Sequence, residues 1–314
     1  MEKKGDLIVS TSPQIKSGES VAKTMYMVLI ALIPAVAASI FFFGVKAIYM
    51  VLVGVATAVL LEALVQRLRK QPVTITDGSA IITGVLLAFN LSPVVPLWMV
   101  ALGSAVAILI GKQAFGGLGH NIFNPALVGR AFLMAAYPDY MTSWLPARLT
   151  GGGGIDVATY ATPLGIVQEK LTQVLPGYFD LFIGNVGGCI GETSALAILL
   201  GGVFLLSQKI INWQTPVFFI GTVALLTWAL GGDPLFNILA GGLMLGAIFM
   251  ATDMVTSPMT PRGMIVFGVG CGLITTFIRL YGKYPEGVSY SILVMNACVP
   301  LIDRYTKKRR FGVL

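Results

Sequence analysis

The sequence predicts an all-α polytopic membrane protein of about ten transmembrane helices in two inverted five-helix repeats, and three observations carry that expectation. Hydrophobic residues make up 56% of the 314-residue chain and charged residues only 11%, against roughly 25% charged in an ordinary soluble domain. Apolar runs approaching the ~20 residues that cross a bilayer recur along the chain with scarcely a charge inside them. Lysine and arginine gather in alternate connecting segments, as the orientation bias of membrane helices requires.

The N-terminal arm, 1–24, is polar and basic. The first apolar run starts too late, and without the small-residue cleavage pattern, to be a signal peptide, so it is expected to remain as a helix. Apolar windows follow at 25–43, 47–65, 79–91, 96–111 and 124–137, then at 190–206, 216–230, 235–251, 264–281 and 288–302. Each is read as a helix because lipid offers no partner to an unpaired backbone group. The chain therefore divides into a first five-helix repeat (25–137), a long loop (138–188), a second five-helix repeat (189–303) and a basic tail (304–314).

Placing the N-terminus in the cytoplasm puts fifteen of the twenty-one basic residues on the inner side, including Arg67, Arg69, Lys70, Lys112, Lys209, Arg262 and the tail. Lys46, Arg148, Lys170, Arg279 and Lys283 fall outside, with Arg130 inside the fifth window. The expectation is a bacterial inner-membrane protein with both termini cytoplasmic and the long loop external. The net charge of +7 and pI near 9.3 are read as this orientation signal, so membrane lipid is an expected partner and nucleic acid is not. Cys189, Cys271 and Cys298 form no CxxC pair, which argues against structural disulfides and against an iron–sulfur centre held by this chain alone.

The two halves resemble one another. Ala88-Phe-Asn-Leu-Ser-Pro93 closes the third window and Ala251-Thr-Asp-Met-Val-Thr-Ser-Pro258 the eighth, while Asn124-Pro-Ala opens the fifth and Asn296-Ala lies in the tenth. Five helices per half give opposite orientations, the inverted repeat of many transporters, and short windows flanked by Gly and Pro point to a midplane site. The recurrence of Asn, Ser and Pro at helix ends is the competing explanation.

The loop holds Gly151-Gly-Gly-Gly-Ile-Asp156-Val-Ala-Thr159-Tyr-Ala161-Thr162-Pro163. Four glycines allow close approach of the backbone to a bound group, and Asp156, Thr159 and Thr162 present a carboxylate and two hydroxyls at three-residue spacing. From chemistry alone, a Gly/Thr-rich turn with an Asx-type cap explains the same residues. The Asp-x-x-Thr-x-Ala-Thr pattern from Asp156 to Thr162, however, resembles the flavinylation motif of a family of membrane redox proteins. That family comprises the B-type component of sodium-pumping NADH:quinone reductase and the D-type component of the related Rnf electron-transport complex. Val157 stands where the family commonly has Gly. Gly119-His-Asn-Ile-Phe-Asn-Pro-Ala126, Gly191-Glu-Thr-Ser-Ala-Leu-Ala197 and 251–258 extend the resemblance over nearly the whole chain, and the short N-terminal arm favours the Rnf branch.

The resemblance implies a fold similar to urea and ammonium channels. It implies FMN moved from FAD onto Thr162 by a flavin transferase, with Asp156, Thr159 and Ala161 as recognition positions, and a noncovalent riboflavin as a further relay. It implies an Rnf complex with A-, B-, C-, E- and G-type components, the last bearing a second covalent FMN, that couples electron transfer from reduced ferredoxin to NAD⁺ with export of Na⁺ or H⁺.

Ionisable residues in apolar windows are costly and therefore informative. Lys112 and Arg130 are candidates to meet a flavin's phosphate or reduced ring, with interfacial anchoring the alternative for Lys112. Glu192 and Asp253, at window ends beside Thr193, Ser194, Thr252 and Thr256, suit either a hard cation such as Na⁺ or helix capping. Glu62 is placed close enough to a helix end to snorkel. His120 is the only histidine and lacks a partner at metal spacing. Trp98, Trp144, Trp213 and Trp228 read as interface belt residues. A small-solute channel or secondary transporter without flavin fits the helix count equally well, but leaves the loop unexplained.

Overall fold

The computed structural model describes residues 20–145, 162–168, 175–282 and 287–307, which are entirely helix, turn and connection. The helices are α1 Val21–Phe43, α2 Val45–Leu68, α3 Ser79–Phe89, α4 Leu97–Val106, α5 Pro125–Ala136, α6 Pro138–Met141 and α7 Pro163–Gln168. They continue as α8 Tyr178–Ile183, α9 Ala195–Ser207, α10 Gln214–Ala229, α11 Pro234–Leu239, α12 Leu243–Leu245, α13 Pro261–Tyr281 and α14 Val288–Thr306. Each of the ten apolar windows contains helix, but the sixth is helical only from Ala195 and the eighth is broken. Four helical stretches, Val21–Phe43, Val45–Leu68, Leu97–Phe115 and Pro261–Tyr281, are long and apolar enough to cross a membrane. Ser79–Phe89, Pro125–Ala136, Ala195–Ser207 and Gln214–Ala229 are shorter and also apolar.

Local chemistry sets the helix starts. Asn124, Asp233 and Thr260 each cap a helix through a side-chain oxygen and are each followed by proline at the first helical position, where a missing N–H costs nothing and φ is preset. Ser194 caps α9 in the same way, accepting from the Ala197 N–H at 3.3 Å. Leu52, Leu60, Val203, Leu225 and Phe277 are exposed along the helix surfaces. An apolar outside of this kind is what lipid demands and water does not tolerate in so broad a patch.

The eighth window is not one helix. It breaks at Gly241, which has φ of 70°, into α11 and a second piece that runs from α12 into a π-helical turn, Gly246–Met250. This second piece and α3 are half-helices whose C-terminal ends meet: the Asn90 side-chain nitrogen lies 3.6 Å from the Met250 sulfur. The Asn124 amide reaches the Met250 carbonyl at 3.4 Å. Asn296, oriented to satisfy its neighbours, accepts from the Asn124 N–H and donates to the Thr256 carbonyl. The stretches that resemble one another in sequence are thus neighbours at the centre of the bundle.

Glycines allow the closest crossings. A Cβ on Gly84 of α3 would stand 2.6 Å from the Val55 Cα of α2, and one on Gly201 of α9 would stand 2.1 Å from the Ala31 carbonyl oxygen of α1. Without a solvent-driven gain between helices in lipid, such backbone approach supplies the packing energy.

Candidate functional site

Polar side chains concentrate at three places inside this apolar bundle. At the first, π-helical turns at Ala107–Lys112 carry the end of α4 inward, and Lys112 is buried with its ammonium 2.8 Å from the Glu62 carboxylate and 2.7 Å from Ser79 Oγ. Gln113 and Gln66 also donate to Glu62, at 3.2 and 3.4 Å. Glu62 is 1% exposed, so it does not snorkel: its side chain turns into the bundle because a cation from another helix waits there. Lys112 also lines a cavity with Thr24, Thr83, Asn121, Thr252 and Asp253. Asp253 Oδ2 accepts from Thr256 Oγ1 at 2.9 Å, the local contact expected of a turn-forming residue.

At the second place, where the half-helices meet, Arg130 donates to Asn90 Oδ1 at 2.7 Å. A cation here complements the partial negative charge at the end of half-helix α3. The Gly191 N–H donates to the Phe89 carbonyl and the Ile190 N–H to that of Leu91, so the segment preceding α9 covers the same helix end.

The third place surrounds Thr162. This residue is 5% exposed, stands at the head of α7, and accepts from the Gly165 N–H through Oγ1 at 3.1 Å. It shares a narrow space of about 10 Å³ with Val186, Gly188, Glu192, Thr193 and Gly241. Glu192 accepts from the Cys189 N–H through Oε1 at 3.2 Å, while its buried Oε2 has no hydrogen-bond partner. Next to this space lies a cavity of about 550 Å³, bordered by Leu164, Gln168, Leu230, Asn237, Thr276 and Arg279. The Arg279 guanidinium donates to the Asn237 carbonyl at 2.6 Å and the Ala240 carbonyl at 3.1 Å. At the rim the exposed Tyr178 hydroxyl donates to Asp233. That bond holds the Asp233 carboxyl below the usual carboxylate range and pushes the Tyr178 phenol up.

Lys112 and Asp253 share one cavity and Glu192 and Thr162 another, so the structure does not bring the two candidate acids together, nor Lys112 to Thr162. Among the described residues no three His, Cys, Asp or Glu side chains gather to hold a metal. Asp156, Thr159 and Ala161 lie outside the described residues. Trp98, Trp213 and Trp228 are exposed as belt residues should be, but Trp144 is buried, because the chain after α6 folds back over the helix ends, where Ser92 donates to the Ser143 carbonyl at 2.5 Å. From the sequence, Arg279 counts only as an outer basic residue. Its place inside the apolar window 264–281 was the available signal.

Half-helices meeting inside an apolar bundle, with buried charges on either side of the meeting point, define an all-helical polytopic membrane protein with polar interior sites. Its sequence matches the NQR2, RnfD, RnfE family over residues 8–312, and the chain belongs to that family. It is 49% identical to the D component of the proton-translocating ferredoxin:NAD(+) oxidoreductase complex of Clostridium ljungdahlii, over 99% of this chain and 97% of that protein. It is also 49% identical to the D component of the Na(+)-translocating ferredoxin:NAD(+) oxidoreductase complex of Acetobacterium woodii, over 98% and 96%. The D component of the ion-translocating oxidoreductase complex of Stutzerimonas stutzeri is 43% identical over 93% and 92%.

Proposed function

We propose that this chain is the D-type membrane component of an ion-translocating ferredoxin:NAD⁺ oxidoreductase complex, carrying FMN on Thr162 as a phosphoester. Its full-length likeness to proteins named for that activity supports the complex. The observation that carries the flavin assignment is Thr162 itself, a hydroxyl where the long loop rejoins the helices, beside a cavity of ring-binding size.

In its hydrogen bond with Gly165, Thr162 Oγ1 is the acceptor, so the hydroxyl proton is the one released when a transferase joins Oγ1 to the FMN phosphorus of FAD and AMP departs. The space at Thr162 is about 10 Å³, no more than the smallest site that holds one water, and the buried Glu192 carboxylate borders it. Volume and like charge both exclude a phosphoryl group from it. With the phosphoester in place, Thr162 therefore stands away from Gly241 and Glu192, and the close packing at Thr162 is that of the unmodified chain; Asp156, Thr159 and Ala161 present the loop to the transferase. Once bound, the flavin supplies one- and two-electron chemistry, and the protein supplies position and electrostatics.

The external side is assigned to Thr162. The basic residues Arg67, Lys209, Arg262 and Arg304 lie on exposed ends of α2, α9, α13 and α14. Bonds from Arg69 to the Gln113 carbonyl and from the Met259 N–H to Asp303, with the cavity shared by Thr24 and Asp253, gather these ends on one side. That side is cytoplasmic by the positive-inside rule, in a bacterial inner membrane. Electrons then arrive externally from the covalent flavin of the G-type component and return inward through the bundle, with riboflavin as a relay, in an assembly that also contains the A-, B-, C- and E-type components. Two relatives of equal identity are named for H⁺ and for Na⁺, so ion choice is assigned to local groups such as Asp253 and not to the fold.

The test is mass spectrometry of the 151–168 region from full-length protein co-expressed with a flavin transferase. The expected result is an FMN adduct on Thr162, with in-gel fluorescence of the denatured chain that Thr162→Ala abolishes. An unmodified Thr162 under those conditions overturns the flavoprotein reading.

A further inference from the structure

We propose that Arg130 is a tethered cation that fills the place of an ion where the two half-helices meet, and that it closes the axis of this chain to passing cations. The C-terminal ends of α3 and of the piece ending at Met250 come together there. Each such helix end carries roughly half a negative elementary charge, and broken helices in transporters use these ends to hold Na⁺. In this chain the position is taken. Arg130, on α5 and 4% exposed, donates to the Asn90 side-chain oxygen at 2.7 Å.

The carbonyls that would coordinate an ion are engaged as well. Leu86 accepts from the Asn90 amide at 2.6 Å, and Phe89 and Leu91 accept from the Gly191 and Ile190 N–H groups at 3.1 Å. Met250 accepts from the Asn124 amide at 3.4 Å.

Acidic groups stand on both approaches to this cation. Ser79, Thr83 and Leu86 of α3 line the cavity of about 80 Å³ that holds Asp253. At the far end of α3, the turn bonded to Phe89 and Leu91 is the one that carries Glu192. Cys189 ties Glu192 to Asn90, its N–H donating to Glu192 Oε1 at 3.2 Å and its thiol to the Asn90 carbonyl at 3.4 Å. Each carboxylate attracts cations to its own side, and the guanidinium between them repels them. At an effective dielectric constant of about 20, a monovalent ion within about 5 Å of a fixed cation is disfavoured roughly three-hundredfold, the means by which an arginine in a pore excludes cations. An ion drawn to Asp253 therefore crosses the membrane at a neighbouring component and not along this chain.

A purely structural account makes Arg130 the counter-charge that holds the helix ends together, with no bearing on permeability. Na⁺ uptake by liposomes containing the full-length chain, driven by a potential negative inside and read by an entrapped Na⁺-sensitive dye, separates the two accounts. Wild type should take up Na⁺ no faster than protein-free vesicles. Arg130→Gln keeps an amide donor for Asn90 but no charge, and its uptake should rise at least tenfold, whereas Arg130→Lys keeps the charge and should stay tight. Leu86→Ala widens the Asp253 cavity beside the helix end with Arg130 in place, and should stay tight too. Uptake above the protein-free level in wild type or in Leu86→Ala overturns the proposal. Both retain Arg130, so these two measurements test the closure whether or not Arg130→Gln folds. Arg130→Gln uptake at the wild-type level also overturns it, as does a leak that passes chloride as fast as Na⁺, which marks loosened packing. Neither Thr162 nor a flavin enters this closure, so its failure leaves that assignment standing.

Discussion

Replacing Glu62 by alanine should destabilise the folded protein far more than loss of a surface ion pair would. Lys112 and Glu62 have side chains 2% and 1% exposed and lie 2.8 Å apart. The ammonium has one further neighbour of hydrogen-bonding kind in Ser79. Glu62→Ala leaves a cation among α2, α3 and the end of α4 with no carboxylate in contact, Asp253 standing across the shared cavity, a perturbation that costs about 3–5 kcal/mol in buried pairs. At about 2 °C per kcal/mol for a chain of this size, the unfolding midpoint should fall by about 6–10 °C. The double variant Glu62→Leu with Lys112→Leu removes both desolvation costs and should recover to within about 2 kcal/mol of wild type. Thermal unfolding of the detergent-solubilised full chain, followed by tryptophan fluorescence at low and at ~1 M salt, measures this, and a buried pair should show little salt dependence. A loss below about 1 kcal/mol for Glu62→Ala, or a double variant that loses the sum of the two singles, would refute the reasoning and mean that water from the adjoining cavity already solvates the pair.

Asp253→Ala should leave in-gel flavin fluorescence at the wild-type level, because Thr162 lies in a separate space, while the ion concentration needed for half-maximal coupled turnover in reconstituted vesicles rises about tenfold, as expected for loss of about 1.4 kcal/mol of ion binding. An unchanged half-maximal concentration would make Asp253 a turn residue bonded to Thr256 and no more. In a Cys298→Ser background, where the remaining cysteines Cys189 and Cys271 are buried, Gly153→Cys should react with a membrane-impermeant maleimide on intact cells and Lys209→Cys only after permeabilisation. The reverse pattern would invert the topology.

Much of the fold was legible because it rests on local rules. All ten apolar windows contain helix, and Asn124-Pro125 and Thr260-Pro261 begin helices as cap-proline pairs do. Boundaries moved by up to about five residues: α1 begins at Val21 ahead of the expected window, α14 continues to Thr306, and α9 begins only at Ala195 because the preceding turn caps the end of α3. The break at Gly241 was missed, since hydropathy continues through it and only the turn around Glu192 and Arg279 explains it. A Cβ on neighbouring Gly242 would stand 2.5 Å from Glu192 Oε2. The partnership of Glu62 with Lys112, fifty residues apart, has no sequence signature, and it turned an expected snorkelling carboxylate into a buried one.

Composition and order alone were enough to make this chain helical and membrane-bound, because lipid leaves backbone groups no other means of satisfaction. They also carried the orientation bias of the basic residues and the family pattern around Thr162. The partner of each buried charge, the meeting of half-helices at Asn90 and Met250, and the cavity between Thr162 and Arg279 were decided only in three dimensions. Hydropathy scores each residue against lipid one at a time, whereas the cost of a buried charge or an open N–H depends on which distant segment the fold brings beside it.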